Sequence, residues 1–138
     1  MGRESRTVAV EVEKGAIRAF AAATGDTSPL HLSESAARRA GYAGLLAPAT
    51  FPLSFASEQE IAEWLGLPEG TLLAEQAFEY ERPIVAGDKL KVVYRISEVE
   101  RRAGMGGEVT LVVVEEEGRD YHGERVYRGR RTHIVRGG

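Results

Sequence analysis

An aspartate and a histidine stand five positions apart in a short proline-containing segment, residues 26–31. The chain has three aspartates and three histidines, and this segment holds one of each, Asp26 and His31. A carboxylate and an imidazole that share one water molecule can take a proton from it and return a proton to a neighbouring carbon. Pro29 restricts the backbone here, so the two side chains can be held at a set distance. By residue type alone, the alternative of a turn aspartate and a surface or packing histidine stays open.

The segments before and after this pair show strand and helix patterns. Residues 7–13 alternate apolar and polar side chains, which predicts a strand. Apolar residues at spacings of three and four predict an amphipathic helix over residues 14–24, ended by Gly25. A second short helix is predicted over residues 33–40, capped by Ser33. Residues 26–31 are predicted to form the turn between these two helices.

A third helix is predicted over residues 50–65, with Pro52 tolerated in its first turn. It is apolar on most sides, so it must be buried. The pattern then changes to strands punctuated by Gly, Pro and Asp, over residues 72–80, 89–99, 108–116 and 123–135. This order predicts an α+β fold, an antiparallel sheet wrapped around one central helix, as a single domain over residues 1–138.

The composition excludes several classes of function. No cysteine is present, which removes disulfides, thiolate zinc sites and a cysteine nucleophile. The 18 basic and 21 acidic residues give a net charge of -3 and are spread along the chain, without the basic footprint of a nucleic-acid-binding protein. Neither a signal-peptide pattern nor a run of about 18 apolar residues occurs. We therefore expect a soluble cytoplasmic protein that binds neither nucleic acid nor a membrane.

Residues 20–57 resemble the active-site segment of the MaoC-like hydratases and dehydratases. The signature of that family is D-x-N-P-x-H-x-D, followed by a helix entered through a His-Gly pair. Asp26, Pro29 and His31 match it position for position. Residues 80–88, YERPIVAGD, resemble the strand and turn that follow in the family.

The resemblance implies a hotdog fold and a reaction on a 2-enoyl or 3-hydroxyacyl thioester of coenzyme A or acyl carrier protein. Asp26 and His31 would hold the water molecule, deliver hydroxide to carbon 3 and a proton to carbon 2, or run the same steps backwards. The backbone N–H of Ala49 is expected to stabilise the enolate oxygen. Neither a cofactor nor a metal is expected. The domain is expected to form a homodimer, or a heterodimer with a related subunit, because hotdog domains usually pair.

Several positions depart from the family pattern. Pro48 and Ala49 replace the His-Gly pair, and the added methyl group narrows the approach of the thioester. Ser28 replaces the signature Asn and keeps a short hydrogen-bonding side chain. Ser57 matches a serine that lines the site in some members, although a polar residue on a helix flank explains it as well. Residues 41–51 look closer to the fatty-acid-synthase-like dehydratase branch and to the partner subunits of two-chain hydroxyacyl dehydratases.

Two other functions stay open. A hotdog thioesterase would use a carboxylate on the central helix, where Glu58, Glu60 and Glu63 lie, but we expect these three to form a solvated face. A non-catalytic acyl-binding subunit of a heteromeric dehydratase is the other alternative, and the presence of both Asp26 and His31 argues against it.

The remaining candidate residues are predicted to be structural. Residues 128–131 are interpreted as a solvated strand end, in preference to a phosphate-binding patch. Asp88 is expected to build a hairpin turn with Gly87. Asp120 and His122 lie on a turn without a third metal ligand. Three large apolar side chains of the predicted third helix are expected in the core: Phe51, Phe55 and Trp64.

Overall fold

The computed structural model describes residues 3–68, 70–104 and 106–136. The strands β1 to β5 are Val8–Glu11, Leu72–Tyr80, Lys89–Gly104, Gly107–Arg119 and Arg125–Arg136. The helices α1 to α4 are Lys14–Ala23, Pro29–Leu32, Glu34–Arg39 and Glu58–Leu65, and a 3-10 turn spans Phe51–Ser54. All strand pairings are antiparallel, and the sheet order is β1-β3-β4-β5-β2. The predicted α+β class and antiparallel sheet are confirmed.

One face of the sheet builds the core. On β3, Leu90, Val92 and Tyr94 alternate with exposed or half-buried residues and have no exposed surface. This alternation is the period of a strand with one buried face. Ile61 and Leu65 of α4 pack in the same cluster, so this helix lies against the inner face of the sheet.

The predicted helix over residues 50–65 is wrong as one continuous element. The structure has the 3-10 turn Phe51–Ser54 and then a new helix, α4, that starts after Ser57. Ser57 Oγ accepts from the Glu60 N–H, and the Glu60 carboxylate accepts from the Ser57 N–H, each at 3.0 Å. This capping box satisfies free backbone donors and starts a helix at that point. Gln59, Glu60 and Glu63 are exposed, so α4 is apolar on one side only.

The shorter elements near the aspartate–histidine segment match their predictions more closely. Helix α1 ends one residue before the predicted end, and Gly25 follows with a φ of 72°, a left-handed conformation that favours glycine. Ser33 caps α3, as predicted, by accepting from the backbone N–H of Ala36. The segment predicted as a turn includes the one-turn helix α2, with Pro29 as its first residue. His31 therefore lies on a short helix.

Two glycines on the inner face of the sheet make room for aromatic rings. A Cβ on Gly129 would lie 2.7 Å from ring atoms of Phe78, its partner on β2, and a Cβ on Gly118 would overlap the Tyr127 ring opposite it on β5. These separations are far below van der Waals contact, so neither position accepts a larger residue without displacing the ring.

A cluster of buried charges lies between the sheet and α4. Arg131 is fully buried, and its guanidinium lies 2.7 Å from Glu116 and 2.6 Å from Glu58. The second oxygen of Glu58 lies 2.7 Å from His133 Nε2, and the Tyr127 hydroxyl donates to Glu116 at 2.8 Å. We call Glu58, Glu116, Arg131 and His133 the buried charge cluster. The predicted solvation of residues 128–131 is therefore wrong for Arg131, whereas the Glu58 side chain is 42% exposed and also binds inward to Arg131 and His133.

The carboxylates of this cluster have shifted pKa values in opposite directions. The hydrogen bond with His133 and the charge of Arg131 lower the pKa of Glu58, against partial burial that raises it. Burial raises the pKa of Glu116, although Arg131 and Tyr127 pull it down. The ionised form is therefore favoured at Glu58 and costly at Glu116.

No helix within the described residues is both long enough and apolar enough to cross a membrane.

Candidate active site

The structure brings Asp26 and His31 into contact. Asp26 Oδ2 lies 3.1 Å from His31 Nε2. The histidine side chain is 9% exposed and the aspartate side chain 39% exposed, so the pair joins the interior to solvent. The other oxygen of Asp26 accepts from the Ser28 N–H at 3.0 Å, which fixes the carboxylate. A substrate can reach the aspartate side of this pair.

The second ring nitrogen of His31 is held by the backbone. Nδ1 lies 2.6 Å from the carbonyl oxygen of Leu46. A carbonyl can only accept, so we assign a proton to Nδ1. A neutral ring would then present an unprotonated Nε2 to a carboxylate oxygen, which is also an acceptor. One proton between Nε2 and Oδ2 removes this conflict, so the pair is suited to holding and releasing a single proton.

Local backbone contacts position both residues. The Asp26 N–H donates to the Ala21 carbonyl at 2.8 Å, directly after the turn at Gly25, which ties the aspartate to the end of α1. The Leu46 N–H donates to the Leu30 carbonyl at 2.9 Å, so the strand-like segment that binds His31 is itself bound to α2. Hydrogen bonds therefore tie Asp26 to the end of α1, and they tie the segment at Leu46 to α2, which carries His31.

Ala49 lies three residues after Leu46, in a turn. The Phe51 N–H donates to the Pro48 carbonyl at 2.9 Å, and the Ala47 N–H donates to Ile84 at 2.8 Å. Pro48 is buried and Ala49 is exposed. Within the described residues, the Ala49 N–H donates to no acceptor, so it can bind a ligand.

The two serines among the predicted site residues have structural partners. Ser28 Oγ accepts from the Leu30 N–H at 3.4 Å as the cap of α2. Ser57 is exposed, and its hydroxyl is used in the capping box of α4.

Sequence reasoning missed two residues that hold the site. The Leu46 carbonyl binds His31, and the Tyr80 hydroxyl donates to the Ala49 carbonyl. A backbone carbonyl carries no side-chain signal, so nothing in the residue type of Leu46 marks it. Tyr80 did carry a signal, because it stands at the start of the YERPIVAGD segment.

The other aspartates build turns, but the turn at Asp88 is not the predicted hairpin, because the described strands β2 and β3 do not pair with each other. Asp88 accepts from the Val85 N–H and pairs with Arg82 at 2.9 Å. Asp120 accepts from the backbone N–H groups of His122 and Glu124, and these bonds lower its pKa. No group of three or more possible metal-ligating side chains occurs in the part of the chain that the structure describes.

Residues 1–128 match the sequence model of a family described as the FAS1-like dehydratase domain region. The chain belongs to this family. The UPF0336 protein of Saccharopolyspora erythraea is 38% identical to this FAS1-like dehydratase region over 143 residues, which cover 99% of this chain and 89% of that protein.

Solved structures show the fold. A MaoC-like dehydratase is 30% identical with a TM-score of 0.85, and the match covers 97% of this chain and 41% of that one. A chain of the C-terminally truncated HadBC (3R-hydroxyacyl-ACP dehydratase) complex from Mycobacterium tuberculosis is 26% identical with a TM-score of 0.80, and the match covers 98% of both chains. The resemblance to MaoC-like dehydratases and the hotdog fold are confirmed.

Proposed function

We propose that this FAS1-like dehydratase region interconverts 2-enoyl and 3-hydroxyacyl thioesters, with Asp26 and His31 as its catalytic pair. The observation that carries the proposal is the 3.1 Å separation of Asp26 Oδ2 and His31 Nε2. A buried imidazole whose far side is fixed, next to a partly exposed carboxylate, is the arrangement that proton transfer to and from a bound water requires.

The two residues divide the proton transfers in hydration. The water oxygen bonds to carbon 3 while the Asp26 carboxylate takes a proton from the water. The electrons of the carbon–carbon double bond move to the thioester oxygen and form an enolate. His31 Nε2–H then gives its proton to carbon 2, which restores the thioester, and the proton on Asp26 returns to His31. Dehydration runs the same steps in reverse.

The Ala49 N–H is the proposed donor to the enolate oxygen. Its exposure and its free donor capacity support this role. A donor aimed at the oxygen where charge develops contributes about 2.7–4 kcal/mol in a measured oxyanion hole. Pro48, Ser28 and Ser57 are proposed to line the acyl thioester only, without taking part in proton transfer.

The proposed substrate carrier is coenzyme A or acyl carrier protein, and the proposed assembly is a dimer. Strand β2 is at one end of the sheet, so only one of its edges is paired by the described strands of this chain. Leu72 on this strand is 56% exposed. A long edge strand of this kind is normally covered, and an identical or related hotdog chain is the covering partner that we propose.

A non-catalytic acyl-binding subunit of a heteromeric dehydratase is the alternative function. The likeness to a chain of the HadBC complex supports it, because that dehydratase is itself a two-chain assembly. A thioesterase is less well supported, because the carboxylates on α4 already have partners: Glu60 accepts from the Ser57 N–H and Glu63 accepts from Gln59. Both oxygens of Glu58 are already bonded, to Arg131 and to His133.

The test is hydration of 2-enoyl coenzyme A thioesters of increasing chain length, followed as loss of the enoyl absorbance. Wild type is compared with His31→Ala, and His122→Ala is the matched control because His122 lies on an exposed turn. We expect a loss of about 10²-fold to 10⁴-fold in kcat for His31→Ala, with an unchanged circular dichroism spectrum, and wild-type activity for the control.

Other outcomes identify the alternatives. An inactive wild type that gains activity when a related hotdog chain is added would establish the partner-subunit function. Release of free thiol from a saturated acyl thioester would establish a thioesterase. Equal activity of His31→Ala and wild type would refute the catalytic pair.

A further inference from the structure

Tyr80 connects the sheet to the turn that carries the proposed donor. It is the last residue of β2, and its hydroxyl donates to the carbonyl oxygen of Ala49, 31 positions earlier in the chain. Ala49 is otherwise exposed on a turn. A hydrogen bond from a side chain anchored in the sheet is therefore the contact that ties the outer part of this turn to the core.

The direction of this hydrogen bond is fixed by chemistry. A backbone carbonyl only accepts, so the phenol must be the donor. Burial raises the pKa of Tyr80 well above its usual value, and the charge of Glu116 raises it further. The phenol therefore keeps its proton throughout the neutral range, and the contact does not switch off with pH there.

The turn has the geometry that such an anchor can lock. The Phe51 N–H donates to the Pro48 carbonyl, which makes residues 48–51 a four-residue turn. Thr50 has φ of -102° and ψ of 9°, close to the values of about -90° and 0° at the third position of a type I turn. Ala49 is the second position, so its N–H lies on the first peptide of the turn and its C=O lies on the central peptide.

The two peptides next to Ala49 are held from opposite sides. The peptide before Ala49 belongs to buried Pro48, whose carbonyl accepts from Phe51. The peptide after Ala49 is held through its carbonyl by Tyr80. With both fixed, the backbone dihedrals of Ala49 have little freedom, and the direction of its N–H is set.

The position of Tyr80 is in turn fixed by its neighbour across the sheet. Tyr80 and Tyr127 are directly opposite in the register of β2 and β5, with ring centroids 6.0 Å apart. The Tyr127 hydroxyl donates inward to Glu116. The two adjacent phenols thus bind different partners, one in the buried charge cluster and one at the candidate site.

We propose that Tyr80 is a positioning residue for the reaction, which holds the Ala49 N–H in the direction of the thioester oxygen. This inference rests on the proposed function, because it needs Ala49 to bind the enolate. Tyr80 touches neither substrate nor reacting atoms, and acts only through the backbone of Ala49.

Tyr80→Phe tests the inference, since it keeps the ring and removes only the hydroxyl. The matched control is Tyr121→Phe, because Tyr121 is 56% exposed and stacks on Lys91 outside the site. We expect kcat to fall about tenfold with KM within about twofold, since an interaction with the enolate oxygen develops in the transition state. The control is expected to match wild type.

A second measurement reports on the turn without requiring activity. Amide hydrogen exchange at Phe51 follows its bond to Pro48, and the amide shifts of Ala49 and Thr50 follow the direction of their N–H groups. We expect faster exchange and shifted amides in Tyr80→Phe, and wild-type values in Tyr121→Phe.

The outcomes separate the two proposals. Unchanged exchange and unchanged shifts in Tyr80→Phe overturn the positioning role, whether or not the wild type is active. Changed exchange with unchanged kcat in an active enzyme overturns it as well. An inactive wild type overturns the proposed function first, and it overturns the positioning role of Tyr80 in the reaction with it. Changed exchange together with a lower kcat supports the inference.

Discussion

Arg131 Nε lies 2.7 Å from Glu116 Oε1, and neither side chain has any exposed surface. The two residues stand on adjacent strands, β5 and β4, and the same guanidinium also reaches Glu58 at the start of α4. Removing both charges from water is costly, and the attraction between them offsets that cost only while both partners are present. The Arg131–Glu116 pair therefore joins β5 to β4, and the contact between Arg131 and Glu58 joins the start of α4 to the sheet.

Arg131→Met is expected to lower the free energy of unfolding by about 3–5 kcal/mol, because it leaves Glu116 buried without its cation. The double variant Arg131→Met/Glu116→Leu should be more stable than the single one, since no uncompensated carboxylate remains. Urea denaturation measures both. Arg130→Met is the control, because Arg130 is exposed on the same strand, and it should change the free energy of unfolding by less than about 0.5 kcal/mol. A double variant no more stable than Arg131→Met would contradict this account.

The stability that Glu58 supplies should disappear in acid. Its pKa in the folded protein is lowered from 4.5. The ionised carboxylate therefore stabilises the fold at pH values above the pKa of Glu58 in the unfolded chain. This contribution is lost as the pH falls through the lower pKa of Glu58 in the folded protein. At neutral pH, Glu58→Gln should be less stable than wild type, and the difference should shrink towards zero as the pH falls below 4.5.

The measurement is urea denaturation of wild type and Glu58→Gln over a series of pH values. Taking the difference between the two proteins removes the part of the Glu116 contribution that does not depend on the charge of Glu58. Glu63→Gln, on the exposed side of the same helix, is the matched control and should differ little from wild type. If the difference in the free energy of unfolding between wild type and Glu58→Gln stays constant into the acid range, the Glu58 charge does not stabilise the fold.

Asp26→Asn should reduce kcat for hydration by at least about 10²-fold, because the amide cannot take a proton from water. The loop should survive, since the amide oxygen can still accept from the Ser28 N–H. Steady-state kinetics measures the loss of kcat, and thermal unfolding checks that the fold is retained. Asp120→Asn is the control, because it also keeps an oxygen that accepts from backbone N–H groups, but on a distant turn. Loss of activity in the control, or full activity in Asp26→Asn, would refute the assignment.

The sequence predicted the order of the strands, and it predicted the bounds of some strands better than those of others. Strand β2 has the predicted bounds, because its ends are marked by changes in residue type. Strand β3 continues to Gly104, beyond the predicted end at residue 99. Arg101 and Arg102 lie there and are exposed, so the apolar–polar alternation that marks a half-buried strand is lost.

The interior could be predicted only in part. The Ser57-x-x-Glu60 pattern of a capping box was present in the sequence and would have divided the helix predicted over residues 50–65. The burial of Arg131 had no such signal. It depends on the register of β4 and β5 and on the placement of α4, and these long-range relationships cannot be derived from the spacing of charges along the chain. At the candidate site, the residue types of Asp26 and His31 were informative, whereas their backbone partners were not.

The sheet order also determines when this protein can fold during synthesis. Among the described residues, strand β2 pairs with β5, which is the last described strand in chain order, and β1 pairs with β3, whose Val92 lies opposite Val8. Until β5 emerges, β2 has no partner in the sheet and α4 lacks the arginine and histidine that bind Glu58. The edge of β2 that pairs with β5 therefore stays open in the nascent chain until β5 has been made, and unpaired strand edges of this kind favour aggregation.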